Sequence, residues 1–221
     1  MLPLRDVAEK VDKSGMAELI LSMPEEWERA VADYESISLP KRGPYEEPES
    51  VVVAGMGGSA IGGDIVLDYL YDRLEMPYTV CREFSLPGWA GSRALVVVVS
   101  YSGNTEEAIR CLREGADRGA GLVAVTSGGM LGRLSRALGV PVVELPKGRP
   151  PRTAVAYMVA ALLWILDKCG VYKFPRAEAA RAATALRRVK KEVLDGAEEE
   201  LALARALASS VPLIYSYRPS L

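Results

Sequence analysis

Short apolar runs alternate with segments of helical periodicity between Val51 and Leu145, and this alternation limits the possible folds more than any other feature. The central run, residues 94–99, holds no polar side chain, as expected for a strand covered by helices on both faces. Strands that alternate with helices predict an open α/β fold built on a parallel sheet. The predicted strands are residues 51–54, 78–84, 94–99, 122–126 and 140–145, and the predicted helices are residues 59–73, 105–118, 131–138 and 152–168.

Two helical regions flank this α/β unit. The first forty residues predict helices, with a new one starting at Pro24, and a polar, proline-rich break follows them. The chain therefore divides into an N-terminal helical arm (1–48), an α/β domain (49–170), a helical connector (171–210) and a final strand (211–221). The connector is one long helix or a hairpin broken near Asp195. The final strand is an edge strand of the sheet or, as we expect, the opening strand of a second α/β unit.

The absence of histidine excludes more functions than any other feature of the 221-residue composition. Without imidazole, these residues cannot form a Ser-His-Asp or Cys-His catalytic site or a histidine-ligated metal site. The three cysteines are widely spaced and form no CxxC pair, which predicts buried free thiols and no metal site. The formal net charge of −2 argues against nucleic acid as a partner.

No segment resembles a signal peptide or a membrane span. Charges interrupt the N-terminal residues, and the longest apolar run, residues 154–166, is shorter than the ~20 residues that cross a bilayer. A cytoplasmic protein is therefore expected. The chain has one asparagine, Asn104, and no glutamine, which is typical of heat-adapted proteins but also results from genome composition bias.

A glycine-rich turn follows the first predicted strand, in the sequence Gly55-Met-Gly-Gly-Ser-Ala-Ile-Gly-Gly-Asp64. Glycines at this point let the backbone turn sharply and leave N–H groups open at the start of the next helix, where an anion can bind. Ser59 adds a hydroxyl donor. Two other interpretations remain open: a turn with close helix packing, and a dinucleotide fingerprint in Gly55-x-Gly57-x-x-Ala60. The acidic residue that this fingerprint requires at the end of the second strand is poorly placed.

Three hydroxyl side chains follow the third predicted strand, in the sequence Ser100-Tyr-Ser-Gly-Asn-Thr-Glu-Glu107. Hydroxyls, a glycine and a helix N-terminus form a compact site for one phosphoryl group without a basic cluster. Simple helix capping, with Asn104 as the N-cap, is the alternative, but capping does not account for Ser100 and Ser102 together. Ligands of open α/β sheets bind beyond the carboxyl ends of the strands, so the two loops meet there if their strands are neighbours.

These two motifs resemble the sugar isomerase domain superfamily, and specifically the bifunctional phosphoglucose/phosphomannose isomerases. The resemblance implies a flavodoxin-like, five-stranded parallel sheet sandwiched by helices. It also implies roles for six residues in binding a sugar phosphate. The phosphate ligands would be Ser59, Ser100, Ser102 and Thr105, while Gly57 and Gly58 would line the reacting end of the sugar.

A third segment, Pro150-Pro-Arg-Thr153, is similar to the same family. A cation at a helix N-terminus opposes the helix dipole, so another role should favour Arg152 at this position. In the family, the matching residue helps to stabilise a negatively charged enediolate intermediate, which implies a catalytic role for Arg152. A solvated arginine that merely follows two prolines is the alternative.

The resemblance implies an aldose–ketose isomerase that interconverts glucose 6-phosphate or mannose 6-phosphate with fructose 6-phosphate, in glycolysis and gluconeogenesis. In the family, a glutamate base and a ring-opening histidine come from a second domain or a neighbouring subunit, whereas this sequence has no histidine. Three consecutive glutamates, Glu198, Glu199 and Glu200, lie in a charged segment and fit a solvated face better than a catalytic base. We therefore expect an N-terminal portion of an isomerase that holds the phosphate-binding half without the base.

The expected partner is a small-molecule sugar phosphate, with no cofactor, no nucleic acid and no membrane, and the resemblance implies a homodimer. Two other functions remain open. One is a non-catalytic sugar-phosphate sensor that uses the same pocket, and the other, less favoured, is a dinucleotide-binding oxidoreductase.

Overall fold

The computed structural model describes residues 10–41, 45–195 and 198–213. Its centre is a five-stranded sheet in which every pair of neighbouring strands is parallel. The strands are β1 (Ser50–Gly55), β2 (Tyr78–Cys81), β3 (Ala94–Val99), β4 (Gly121–Thr126) and β5 (Val142–Glu144). Their order across the sheet is β2-β1-β3-β4-β5, which is the flavodoxin-like order. The predicted α/β fold class is confirmed.

Helices cover both faces of this sheet. The helices of the described residues are α1 (Met16–Leu21), α2 (Met23–Tyr34), α3 (Gly58–Tyr69), α4 (Glu106–Asp117), α5 (Gly129–Ala137), α6 (Val155–Lys168), α7 (Arg176–Asp195) and α8 (Glu198–Ala208), of which α2 to α7 contribute to the two cores that flank the sheet. Strand side chains alternate between the two layers. Val51 and Val53 pack into the core shared with α2, α3, α6 and α7, whereas Val52 and Ala54 pack into the core shared with α4 and α5. Burial on both faces explains why the central strands read as continuous apolar runs.

Helix α2 of the N-terminal arm is anchored close to the carboxyl edge of the sheet. The hydroxyl of Tyr34 donates a hydrogen bond to the carbonyl oxygen of Glu144, at the end of β5, at 2.9 Å. The indole N–H of Trp164, in α6, donates to the carbonyl oxygen of Val31 at 2.9 Å. These contacts fix α2 relative to the loops that leave the strands, because Glu144 ends β5 and Trp164 belongs to α6, whose side chains share a core with the strands.

Several boundaries differ from the predicted ones. Strand β2 ends at Cys81 because the chain then enters a turn-rich segment that contains Pro87, Gly88 and Gly91. The predicted helix 152–168 is divided into a 3-10 helix, Pro151–Thr153, and α6. The predicted connector helix contains α7 and α8, and the residues between them lie outside the described ranges.

The predicted C-terminal strand is described only in part. Residues 211–213 carry no regular secondary structure, and residues 214–221 lie outside the described ranges. All three cysteines are buried and free, as expected. Within the described ranges, no helix is both long and apolar enough to cross a membrane.

Candidate active site

The carboxyl ends of β1 and β3 lie side by side at one edge of the sheet, the position at which open α/β folds form a ligand-binding crevice. After β1 the chain continues to β2 on one side, and after β3 it continues to β4 on the other. Such a topological switch point is where open α/β sheets bind ligands. The loops that carry the predicted phosphate ligands meet here because β1 and β3 are neighbours, with Gly55 opposite Val99.

The loop between β1 and α3 is shaped by glycine. A Cβ atom at Gly55 would lie 2.9 Å from the carbonyl oxygen of Val99, so only glycine permits this close approach. Gly57 has a φ of 50°, in the left-handed region, and α3 begins at the next residue, Gly58. Ser59 is therefore buried in the first turn of α3, directly beside β3.

The loop between β3 and α4 brings its own hydroxyls together. The hydroxyl oxygens of Ser100 and Thr105 lie 2.9 Å apart. The N–H of Gly103 donates to the hydroxyl oxygen of Ser100 at 3.1 Å, and the N–H of Asn104 donates to that of Ser102 at 3.2 Å. Ser100 is buried, Thr105 is half-buried and Ser102 is exposed, so the hydroxyls run from the sheet edge out to solvent.

Simple capping does not explain this loop. The N-cap residue of α4 is Thr105, and its side chain makes no capping hydrogen bond. The side-chain oxygen of Asn104 instead accepts a hydrogen bond from the N–H of Met130, at 3.1 Å. The alternative that placed Asn104 as the N-cap is therefore wrong, because that side chain joins this loop to the start of α5.

A third polar loop, between β4 and α5, packs against the second and was missed in the sequence. The hydroxyl of Ser127 donates to the carbonyl oxygen of Tyr101 at 2.7 Å. A Cβ atom at Gly103 would overlap the carbonyl oxygen of Gly128, so these loops interlock through glycine. The Thr-Ser-Gly-Gly sequence that directly follows the fourth apolar run is the signal that could have revealed it.

Tyr101 joins the loops to one another, although no motif in the sequence singled it out. Its backbone N–H donates to the hydroxyl oxygen of Ser59 at 3.1 Å, which joins the first two loops. Its hydroxyl donates to the carbonyl oxygen of Pro146 at 2.7 Å and accepts from the N–H of Arg149 at 3.1 Å. The segment that leads from β5 to Arg152 is thereby joined to the same framework.

Arg152 lies beside the first loop. It belongs to the 3-10 helix, Pro151–Thr153, and its side chain is exposed. A Cβ atom at Gly58 would lie 3.6 Å from the backbone nitrogen of Arg152 and 3.7 Å from the Cβ of Pro151. The two segments whose residues were predicted at the reacting end of the sugar therefore lie side by side.

The end of β2 departs from the dinucleotide fingerprint. β2 ends at Cys81, and the next residue, Arg82, forms an ion pair with the buried Asp64, so a basic residue stands where a ribose-binding acid would be expected. Within the described residues, no cluster of three or more His, Cys, Asp or Glu could hold a metal ion.

Comparisons with known proteins agree with this arrangement. No protein-family model matches the chain. A bifunctional phosphoglucose/phosphomannose isomerase from Caldicellulosiruptor bescii is 31% identical over 204 residues, which cover 90% of this chain and 60% of the relative. A second, from Thermoplasma volcanium, is 32% identical over 181 residues, which cover 81% of this chain and 53% of the relative. The chain is a homologue of these bifunctional isomerases.

Solved structures support the fold of this family. The tagatose-6-phosphate ketose/aldose isomerase from Escherichia coli superposes with a TM-score of 0.55 at 16% identity, over 78% of this chain and 52% of that structure. At this identity the likeness shows a shared fold and no more. The chain spans 60% or less of the length of the two curated relatives.

Proposed function

We propose that this chain is the phosphate-binding part of an aldose–ketose isomerase that interconverts glucose 6-phosphate or mannose 6-phosphate with fructose 6-phosphate. The observation that carries the proposal is the hydrogen bond from the N–H of Tyr101 to Ser59, which brings two hydroxyl-bearing loops to one crevice. Homology to bifunctional phosphoglucose/phosphomannose isomerases supports the same reaction.

The substrate phosphate would bind between these two loops. Ser100 and Thr105 already lie within hydrogen-bond distance of each other, so both hydroxyls can turn toward one phosphoryl group. Ser59 supplies a hydroxyl from the other side of the crevice, and Ser102 supplies one from the exposed rim. The first turn of α4, which has no side-chain cap, adds backbone N–H groups at the positive end of a helix dipole.

The other end of the sugar would face Gly57, Gly58 and Arg152. Isomerisation moves a proton between C1 and C2 and passes through an enediolate, so a positive charge near these atoms lowers the barrier. A guanidinium suits this role because it stays charged at any working pH and presents a planar set of donors. The segment that carries Arg152 lies beside Gly58, next to the sheet edge where the phosphate would bind.

The proton-transfer groups are not assigned to this chain. The sequence has no histidine to open the sugar ring, and Glu198, Glu199 and Glu200 belong to α8. We propose that the catalytic base and the ring-opening group come from residues outside this sequence, and that the active protein is a cytoplasmic homodimer. The scarcity of amides fits a heat-adapted source.

Calorimetric titration and a turnover assay test this function together. We expect glucose 6-phosphate and 5-phospho-D-arabinonate to bind the 221-residue chain, while glucose and a nicotinamide dinucleotide do not. We also expect turnover of fructose 6-phosphate to be nearly absent. Failure of every sugar phosphate to bind would overturn the proposal, and tight dinucleotide binding would favour the oxidoreductase. Strong turnover by the chain alone would show that it contains its own base.

The sensor alternative makes a different prediction. A sensor recognises its ligand in the ground state and gains nothing from binding an enediolate mimic more tightly, whereas an isomerase site is complementary to the transition state. A preference for 5-phospho-D-arabinonate over glucose 6-phosphate would support the isomerase. Equal affinity for both would support the sensor.

A further inference from the structure

A buried ion pair lies behind the segment that carries Arg152. The guanidinium of Arg149, which precedes the 3-10 helix, and the carboxylate of Glu26, in α2, approach to 2.6 Å. Their side chains are only 13% and 8% exposed, and the guanidinium lies over the ring of Tyr157 at 5.3 Å. The partnership with Glu26 raises the pKa of Arg149, so this guanidinium stays charged inside the protein.

Arg149 holds the chain on both sides of Arg152. Its backbone N–H donates to the hydroxyl of Tyr101 at 3.1 Å, and its guanidinium donates to the carbonyl oxygen of Thr153 at 3.3 Å. Thr153 closes the turn by donating from its hydroxyl to the carbonyl oxygen of Pro150 at 2.9 Å. The backbone of Arg152 therefore lies between two points that Arg149 fixes, one through its backbone N–H and one through its buried side chain.

A contribution to stability alone is a weak explanation for such a pair. Two charges lose most of their hydration when they are buried, and a buried ion pair is often no more stabilising than apolar residues of the same volume. The pair does define the geometry of the segment, because each buried charge needs the other within hydrogen-bond distance. The segment that it fixes carries the proposed enediolate-stabilising residue.

We propose that Glu26 and Arg149 form a positioning pair that orients Arg152 toward the reacting end of the substrate, which makes the N-terminal arm part of the active-site framework. This inference rests on the proposed function. Neither residue needs to touch substrate. Arg149 acts through the backbone of the 3-10 helix, and Glu26 acts by holding the guanidinium of Arg149 in place.

The experiment compares two ligands that differ only at the reacting end. 5-Phospho-D-arabinonate carries a carboxylate there, as a mimic of the enediolate charge, whereas D-arabinitol 5-phosphate carries a neutral hydroxymethyl group. For Arg149→Met and Glu26→Gln, we expect calorimetry to show roughly tenfold weaker binding of the arabinonate, the usual scale for one charge-assisted hydrogen bond. Binding of the arabinitol phosphate should be unchanged, and Arg149→Lys should recover part of the difference.

A second ion pair of the same helix provides the matched control. Glu28, in α2, pairs with Arg187, in α7, and their side chains are 44% and 51% exposed. Arg187→Met removes an α2 contact of the same type without any link to the Arg152 segment. We expect it to leave the affinities for both ligands unchanged.

The outcomes separate the two proposals. If the wild-type chain binds neither ligand, the proposed function fails. If the wild type prefers the arabinonate, two results would refute only the positioning inference. In the first, Arg149→Met keeps that preference; in the second, Arg187→Met loses it to the same extent as Arg149→Met. Should the single variants unfold, the double variant Glu26→Leu/Arg149→Met replaces the pair by apolar side chains, and it should also lose the preference.

Discussion

The backbone N–H of Tyr101 donates a hydrogen bond of 3.1 Å to the hydroxyl oxygen of Ser59, across the gap between β3 and the start of α3. Both residues are buried, at 8% exposure each, so this bond is shielded from water. It joins the two loops that the proposed function assigns to one phosphate. The geometry of the site therefore depends on a contact between residues that lie on either side of the switch point.

Removing the hydroxyl of Ser59 tests that contact. We expect Ser59→Ala to weaken binding of glucose 6-phosphate about tenfold, because it removes a ligand and leaves a buried N–H group without its partner. Calorimetric titration measures this loss. The exposed Ser36, whose hydroxyl bonds to the carbonyl oxygen of Asp33, provides the control, and Ser36→Ala should leave the affinity unchanged. Equal affinity of both variants would contradict the role of Ser59.

Together, the hydroxyls of Ser100 and Thr105 should contribute more to phosphate binding than either hydroxyl does alone. Because their hydroxyls lie within hydrogen-bond distance, each can compensate in part for loss of the other, and the double variant Ser100→Ala/Thr105→Ala removes both. We expect that variant to lose at least about a hundredfold in affinity for glucose 6-phosphate. Thr184→Ala, in the exposed part of α7, removes a hydroxyl that bonds only within its own helix and should have no effect. Unchanged binding by the double variant would refute the phosphate site.

The interlocked loops predict a difference between two glycines of similar conformation. Gly103 and Gly139 have φ values of 68° and 70°. A Cβ atom at Gly103 would overlap the carbonyl oxygen of Gly128, whereas a Cβ at Gly139 would meet nothing within 4 Å. Gly139→Ala should lower the unfolding free energy by ~1–2 kcal/mol from backbone strain alone. Gly103→Ala should lower the unfolding free energy by clearly more, and equal losses in denaturant titrations would contradict the interlocking of the two loops.

Burial of Cys169 predicts a dependence of stability on alkaline pH. Desolvation raises the pKa of this thiol from 9.0 to about 12. The folded chain therefore keeps the proton at pH values at which the unfolded chain loses it. The contribution of this thiol to the free energy of unfolding is fully present below the pKa of the unfolded state and is lost as the pH rises through the pKa of the folded state. This thiol should lower the unfolding free energy by about 1.4 kcal/mol per pH unit across that window.

Denaturant titrations of Cys169→Ala at several pH values check the effect of this thiol. The comparison uses the slope of the unfolding free energy against pH, because the substitution also changes the packing, and hence the stability, at every pH. Cys111, whose pKa burial also raises to about 12, should retain its own contribution in this variant. An alkaline slope that is the same in Cys169→Ala as in the wild type would refute the assignment.

The parts of the fold that depend on local pattern could be predicted from sequence. Residues 94–99 read as a strand covered on both faces, and β3 has those bounds because all six of its residues are buried. Gly55, Gly57 and the hydroxyls from Ser100 to Thr105 also follow strands directly, so their place at the sheet edge required only the α/β pattern. The boundary of β2 was less predictable, since the first proline and glycine after Cys81 come only at Pro87 and Gly88.

The contacts between distant segments could not be predicted in the same way. Tyr101 reads as an apolar residue inside a polar loop, and only the packed loops show that its backbone and hydroxyl bond to Ser59, Pro146 and Arg149. Glu26 looks like a favourable charge in the first turn of a helix. Its pairing with Arg149 depends on how α2 packs beside the carboxyl edge of the sheet, which no local periodicity encodes.

A crystal structure of the chain with glucose 6-phosphate would show where the phosphate binds. We expect the phosphate to lie beyond the carboxyl ends of β1 and β3, with its oxygens within ~2.5–3.0 Å of the hydroxyls of Ser100 and Thr105. The sugar should extend toward Gly58 and Arg152. A phosphate bound at any other place on the molecule, with the two loops still joined by Ser59 and Tyr101, would contradict this expectation.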